Sequence, residues 1–256
     1  CRVIGIELAS RSEVGARSYN EDDCRHGGLP PYRFAVVSDG AGGHRNGAVA
    51  ADLVVRTTAL GLQRATEFSA NVLRDTIAQA NDAVNAGQQG LKAHQRMHAT
   101  VVCLWVDAAQ QLALWGHVGD SRLYRVRRGC AQPLTRDDSV VQQMVDAGFI
   151  RPEDARHHPR KNQLIAAMGM EEALPIHVSE QAQMIQDGDA YLLCTDGWWD
   201  HLDESDLEST LDLAQTAQQW LDRMADLVAA RQQPNQDNYT AVALWVGNPG
   251  ETTRIG

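Results

Sequence analysis

The sequence predicts an α+β fold in which mostly antiparallel strands are covered by pairs of helices. Three observations carry this prediction. Apolar runs of strand length recur at 33–38, 98–106, 111–118, 189–195 and 239–246. Segments with apolar residues at helical spacing come in neighbouring pairs, 43–65 with 69–86 and 203–213 with 216–231. The two patterns never settle into strand–helix–strand alternation, which argues against a doubly wound parallel sheet.

Taken in order, RVIGIEL opens as a strand, and 33–38 forms a second that ends at Asp39. The helix at 43–65 carries small Ala48, Ala50 and Ala51 with apolar Leu53 and Val54. Ser69 suits the N-cap of the next helix, where Val72, Leu73, Ile77, Ala80 and Val84 share one face. Strands 98–106 and 111–118 read as a hairpin across the turn 107–110, and strand 121–127 turns at Arg128-Gly129. A helix over 139–147 stops at Gly148, and Pro152 suits the first turn of a short helix. Strands at 176–184 and 189–195, two helices and a last strand at 239–246 complete the pattern. The most polar and irregular stretch, 148–165, reads as a mobile flap or a solvated connector. The expected organisation is one domain over 1–247, with a flap-like insert at about 138–168 and a loose tail at 248–256.

Composition bounds the function. With 256 residues, 43% apolar and 22% charged, the chain has the make-up of a soluble globular protein with a sizeable core. A net charge of −10 argues against nucleic acid, which needs a basic face. Five scattered cysteines (1, 24, 103, 130 and 194) without a CxxC pair suggest a reducing compartment and no structural disulfide. Cys103 and Cys194 lie in apolar runs, while Cys24 and Cys130 lie in turn-like contexts. No apolar stretch approaches the roughly 18 residues of a membrane span, and no signal-peptide pattern opens the sequence.

The chemistry is carried by four aspartates beside apolar runs: Asp39, Asp120, Asp196 and Asp237. Carboxylates gathered from distant strand ends repel one another unless hard cations neutralise them, so they point to an Mg²⁺ or Mn²⁺ site and to phosphate chemistry. In Asp39-Gly40-Ala41-Gly42-Gly43-His44 the glycines allow close backbone approach, and the Gly40 carbonyl can supply a further oxygen. A dinucleotide fingerprint fails there, because Arg45 stands where a glycine is needed. In Arg17-Ser18-Tyr19-Asn20-Glu21-Asp22, the guanidinium is either a surface ion-pair partner or a fork for phosphate oxygens. Beside a metal cleft, Glu21 and Asp22 would hold metal-bound waters. Leu123 rules out a serine elbow at Ser121, and Gln95 rules out a zinc-protease pair at His94 and His98. His157-His158 reads as a surface pair, and Trp198-Trp199 as core rather than substrate contact.

Together these motifs resemble the metal-dependent type 2C protein phosphatases, especially their compact bacterial members. RSYNED, SDGAGGHRNG, GHVGDSRLYRV, LTRDDS, KNQLIAAMG, LLCTDGWWD and DNYTAVALWV follow the family's order across almost the whole chain. The resemblance implies a four-layer α-β-β-α sandwich, with two antiparallel sheets flanked by helix pairs. It implies two Mn²⁺ or Mg²⁺ ions sharing a water that hydrolyses phosphoserine or phosphothreonine in proteins. By motif, Asp39 would bridge both ions, Asp196 and Asp237 would complete the first site, and Gly40, Glu21 and Asp22 would serve the second. Asp120 would help hold a third, weaker ion, and Arg17 would bind phosphate. Eukaryotic members carry a general-acid histidine where this chain has Ala41, so the leaving-group proton would come from a metal-bound water or from another group such as His44. The family's Asp-His-Ser is here Asp137-Asp138-Ser139. The implied partners are a phosphorylated protein and an opposing Ser/Thr kinase, with type VI secretion as a weaker analogy. A monomer in the cytoplasm is expected. The competing readings are a non-catalytic phosphoprotein-binding adaptor and a phosphatase of small metabolites.

Overall fold

The structure is a computed structural model and describes residues 4–42, 46–170, 174–231 and 234–248. Along the chain run β1 (Ile6–Glu13), β2 (Asp22–Gly27), β3 (Tyr32–Gly42), α1 (Asn46–Arg64) and α2 (Ala70–Gly87). Next come β4 (Met97–Ala99), β5 (Val101–Asp107), β6 (Leu112–Val118), β7 (Arg122–Arg127), β8 (Cys130–Pro133), α3 (Val140–Asp146) and α4 (Pro152–Ala155). The chain closes with β9 (His177–Val178), β10 (Gln183–Met184), β11 (Ala190–Cys194), α5 (Asp196–Trp199), α6 (Glu204–Asp212), α7 (Ala217–Ala230) and β12 (Tyr239–Val246).

The strands form two antiparallel sheets. One has five strands in the order β1-β12-β11-β7-β8. The other has seven, built on β10-β6-β5-β3-β2, with β4 beside β3 and β9 beside β6. Strand periodicity explains the layering. In β3, Phe34 and Val36 pack toward α1 and α2, while Ala35 and Val37 pack toward the other sheet. In β12, Ala241, Ala243 and Trp245 meet Trp220, Met224 and Val228 of α7, while Val242, Leu244 and Val246 fill the space between the sheets. Three apolar interfaces therefore stack as helix, sheet, sheet, helix. Each fully buried Leu, Val or Phe among them stabilises the fold by about 1.5–3 kcal/mol. Strands covered on both faces lose the polar alternation of half-exposed ones, so 101–106 and 241–246 read as unbroken apolar runs.

Helix starts follow their capping chemistry. The hydroxyls of Ser69, Ser139 and Thr216 accept from the amides of Val72, Gln142 and Gln219, and Asp203 forms a capping box with Asp206. Gly148, at φ +72, ends the α3 turn as expected.

Several expectations are corrected. The first strand runs to Glu13 rather than ending at Leu8, because all its residues from Ile6 pair with β12. The polar segment Asp22–Gly27 is a strand, held by backbone pairing to β3 rather than by apolar patterning. Cys24 therefore lies in a strand, half-buried, and burial raises its thiol to about 11. Asp39 sits inside β3, which continues to Gly42 by pairing with β4. The single strand expected at 98–106 breaks at Thr100. That expected at 176–184 is two short strands, each paired separately with β6. Cys130–Pro133 adds a strand after the Arg128-Gly129 turn. The start of the first expected helix, His44, Cys1 and the end of the tail lie outside the described residues, as does the side chain of His94.

Candidate active site

Two backbone devices place Asp39. Residues Tyr32 to Val37 of β3 pair with β5, and Gly40 to Gly42 pair with β4. Thr100 occupies the break between these partners. Its amide donates to the Asp39 carbonyl at 2.8 Å, and its Oγ1 accepts from the Asp39 amide at 2.9 Å. Its carbonyl accepts from Ser38 Oγ at 2.6 Å, and its Oγ1 lies 2.6 Å from Ser121 Oγ, next to Asp120. One threonine thus couples Ser38 and the Asp39 backbone to the β6–β7 turn that carries Asp120.

The N-terminal acids arrive through β2 and Asn238. Asp22 is the cross-strand partner of Asp39. The Glu21 amide donates to Asn238 Oδ1 at 2.8 Å, and Asn238 Nδ2 donates to the carbonyls of Val14 and Tyr19. The Arg17-to-Asp22 segment is thereby fixed beside Asp237, one residue before Asn238. Asp196 opens α5, and the Trp199 indole donates to the Asp120 carbonyl at 2.9 Å. Gly40 has no room for a side chain: a Cβ there would overlap the Gly47 and Glu21 carbonyls. That clearance lets the start of α1 lie against β3.

These elements enclose a cavity of about 290 Å³ whose walls include Arg17, Glu21, Asp39, Gly40, Asp120, Asp196 and Asp237. Of the metal- and phosphate-binding candidates read from the sequence, Asp22 alone is set back from it. Its Oδ2 accepts from Thr195 Oγ1 at 2.9 Å. Arg17 pairs with neither Glu21 nor Asp22 but donates to Asp237 Oδ2 at 2.7 Å, with about half of its side chain exposed.

Electrostatically the cavity is unfavourable as it stands. Burial pushes the Asp39 and Asp120 carboxyls well above the usual range, and the neighbouring acids push them further. Burial raises Asp22 to about 8, and burial followed by the Asp200 and Asp237 charges raises Asp196 to about 6. Glu21 is also raised, mainly by burial. Glu21 Oε1 and Asp196 Oδ1 are buried without a hydrogen-bond partner. A folded chain rarely leaves such oxygens unpaired unless something from outside satisfies them. A set of carboxylate and carbonyl oxygens with unspent lone pairs fits hard divalent cations such as Mg²⁺ or Mn²⁺.

Sequence reasoning missed other parts of the cavity. His98, weighed only as a partner of His94, lies opposite Ala41 in the β3–β4 ladder and lines the wall. Its Nδ1 is buried without a partner, and burial holds the ring below its ordinary pKa. A histidine inside an apolar strand pattern was the available signal. Asn162, Leu164 and Ala167 also reach the wall. Their segment is stitched at its ends by bonds between Asp138 and Ile165 and between Val140 and Gln163, which no local pattern announces. Trp198 is fully buried and Trp199 nearly so, in keeping with core packing, and the Arg122 guanidinium lies 3.7 Å from the Trp199 ring centroid.

The comparisons agree with this architecture. The serine/threonine protein phosphatase PstP of Mycobacterium tuberculosis is 32% identical over 219 residues, 83% of this chain and 40% of that protein. The chain thus spans well under half the length of that relative. The crystal structure of the PstP catalytic domain in complex with two manganese ions superposes with a TM-score of 0.82 at 27% identity, covering 95% of this chain and 99% of that one. PppA of Pseudomonas aeruginosa, described as a key regulatory component of T6SS, superposes with a TM-score of 0.75 at 30% identity, covering 94% and 97%. The protein phosphatase 2C family model matches residues 10–238. With that match over most of its length, the chain belongs to the protein phosphatase 2C family.

Proposed function

We propose that this chain hydrolyses phosphoserine and phosphothreonine in proteins with the help of two Mn²⁺ or Mg²⁺ ions. The observation that carries the reading is a close set of acids round one small cavity, two of them with buried unpaired oxygens, beside a half-exposed guanidinium. Asp39 would bridge the two ions. Asp196 and Asp237 would serve the first, and the Gly40 carbonyl with Glu21 and Asp22 the second, directly or through water. Asp120 would help hold a third, weaker ion. When bound, such ions neutralise the acids and lower the pKa of a water toward neutrality, supplying the nucleophile.

The chain's own residues do the rest. Arg17 stands at the rim, where its fork can leave Asp237 and hold two phosphate oxygens. Thr100 and Asn238 hold Asp39 and Glu21 in place through backbone bonds, so the acids are positioned before substrate arrives. The segment at about 138–168 would act as a flap beside this cavity, within a single catalytic domain over 1–247. Asn162 and Leu164, from that segment, already line the wall.

The wider setting is proposed on the strength of the relatives. The phosphoprotein substrate would be the product of an opposing Ser/Thr kinase, in the cytoplasm, with the phosphatase acting as a monomer. The PppA likeness supports a place beside a type VI secretion system. No helix among the described residues is long and apolar enough to cross a membrane.

The test is phosphate release from a phosphothreonine peptide and from p-nitrophenyl phosphate, with and without Mn²⁺. Manganese-dependent release from the peptide supports the reading. Binding of the peptide without release would replace the enzyme with an adaptor. Release confined to small phosphorylated metabolites would overturn the protein substrate.

A further inference from the structure

A second cluster of metal-ligating groups lies outside the acidic cavity, at the edge of the seven-stranded sheet. His117 of β6 and His177 of β9 are direct partners in an antiparallel pair, so their side chains leave the same face side by side. Their rings stack with centroids 4.9 Å apart and planes 22° apart. Asp138, from the root of the 138–168 segment, brings its Oδ1 to 2.9 Å from His177 Nε2. Among the described residues, one donor atom from each of these three side chains lies within 4.8 Å of the other two.

We propose that His117, Asp138 and His177 form a separate binding site for a borderline divalent ion of the Zn²⁺ or Co²⁺ class.

The supporting contacts are those a ligand set needs. His117 Nε2 lies 2.7 Å from the Arg136 carbonyl. A carbonyl cannot donate, so Nε2 carries the proton and the lone pair of the neutral ring is on Nδ1. Metal-binding histidines are oriented in this way, by donating the other ring N–H to a backbone carbonyl. Burial holds the ring below its ordinary pKa, which favours that neutral form. Asp138 is buried, and it is fixed by Gly119: its Oδ2 accepts the Gly119 amide at 3.0 Å, and its own amide donates to the Gly119 carbonyl at 2.9 Å. The His177 ring is half-exposed, so a solvent-facing position is open for a water as fourth ligand.

Donor chemistry separates this cluster from the acidic cavity. Ligands at about 2.0–2.2 Å from a tetrahedral ion stand roughly 3.4 Å apart, so the three groups need to close by about an ångström. Two imidazoles and one carboxylate favour Zn²⁺, Co²⁺ or Ni²⁺, whereas the all-oxygen cavity favours Mg²⁺ or Mn²⁺. An ion here would tie the β6–β9 edge to the start of the 138–168 segment. It would also brace Gly119, the residue before Asp120.

The test is a titration of the metal-free chain with Co²⁺, read by visible absorption, because a four-coordinate site with imidazole ligands absorbs far more strongly than a six-coordinate oxygen site. Wild type is expected to gain an intense band that saturates at about one equivalent. Asp39→Asn, which damages the acidic cavity, should keep that band. His177→Ala should lose it, and equilibrium dialysis with Zn²⁺ should show about one ion fewer bound to that variant than to wild type. Circular dichroism would establish that the variant is folded. His177→Gln, at the half-exposed ring, provides a second variant if the first is not. No intense band in wild type, or an equal band and equal Zn²⁺ retention in folded His177 variants, would overturn the site and leave a triad held by hydrogen bonds alone.

Discussion

Two groups of acid in this protein are built in opposite ways. Asp189, 1% exposed, is satisfied by the chain itself. Arg127 donates to both its oxygens at 2.7 and 2.6 Å, and the Gln186 amide adds a bond at 2.8 Å. In the cavity, Asp196 Oδ1 and Glu21 Oε1 have no partner, and the acids raise one another's pKa. The difference shows what each is for. A carboxylate whose lone pairs are filled by guanidinium and amide groups holds a fold together. A group of carboxylates crowded round one cavity, with buried oxygens left unpaired, is stabilised by cations from solution.

The sharpest way to break this contrast is to neutralise one acid of each kind. Asp39→Asn should lower kcat/KM on a phosphothreonine peptide by at least about 10²-fold, since even residues that only support metal ligands cost 10–100-fold. Its melting temperature without metal should hold or rise, because a repelling charge is gone. Asp189→Ala should do the reverse. Activity per folded molecule should survive, while denaturant unfolding should show a loss of about 3 kcal/mol, at the low end for a broken buried pair because Arg127 stays partly exposed. Equal losses of activity in the two variants would erase the distinction.

Next in size is the response to Mn²⁺ and pH. The folded carboxyls of Asp22 and Asp196 sit at about 8 and about 6, above the ordinary 3.8. Between those values the folded chain keeps protons that the unfolded chain has released, so stability falls as pH rises from about 4 to 8. Metal-free protein should therefore melt lower at about pH 8 than at about pH 5 in a thermal scan. Saturating Mn²⁺ should raise the melting temperature most at the higher pH, with about 2.7 kcal/mol of stabilisation expected at a hundred times its dissociation constant. A metal-free chain that gains stability across that range would contradict the carboxyl assignments.

A smaller effect is expected at Arg17, which pairs with Asp237 in the cavity and is proposed to hold the phosphate. Arg17→Ala should raise KM for the phosphopeptide by about tenfold, or about 1.4 kcal/mol of lost binding, with a lesser change in kcat. Arg17→Lys should recover only part of it, because an ammonium cannot form the bidentate fork. Steady-state kinetics would separate these terms.

The two kinds of acid also differ in how far the sequence reveals them. Asp39, Asp196 and Asp237 stand out because each adjoins an apolar run, and the fully buried strands that position them have the plainest patterns in the chain. Asp189 adjoins such a run as well, yet its role depends on Arg127, 62 positions away, and no spacing rule reaches that far. The same holds for β2, whose polar residues become a strand only through pairing with β3. Thr100 and Asn238 were invisible for the same reason: each acts through backbone atoms of distant segments. His98 came closest to being seen, but the spacing of His94 and His98 drew attention to a zinc motif rather than to the strand opposite Ala41. Local pattern thus located the helices and the covered strands, while the hydrogen bonds that aim the site belong to tertiary structure.

The most direct measurement is anomalous diffraction at the manganese edge from crystals soaked in Mn²⁺. Two strong peaks inside the cavity, within ligand distance of Asp39 and flanked by Asp196, Asp237 and the Gly40 carbonyl, are the predicted result. A cavity without a peak, its acids still turned on one another or on Arg17, would contradict the account.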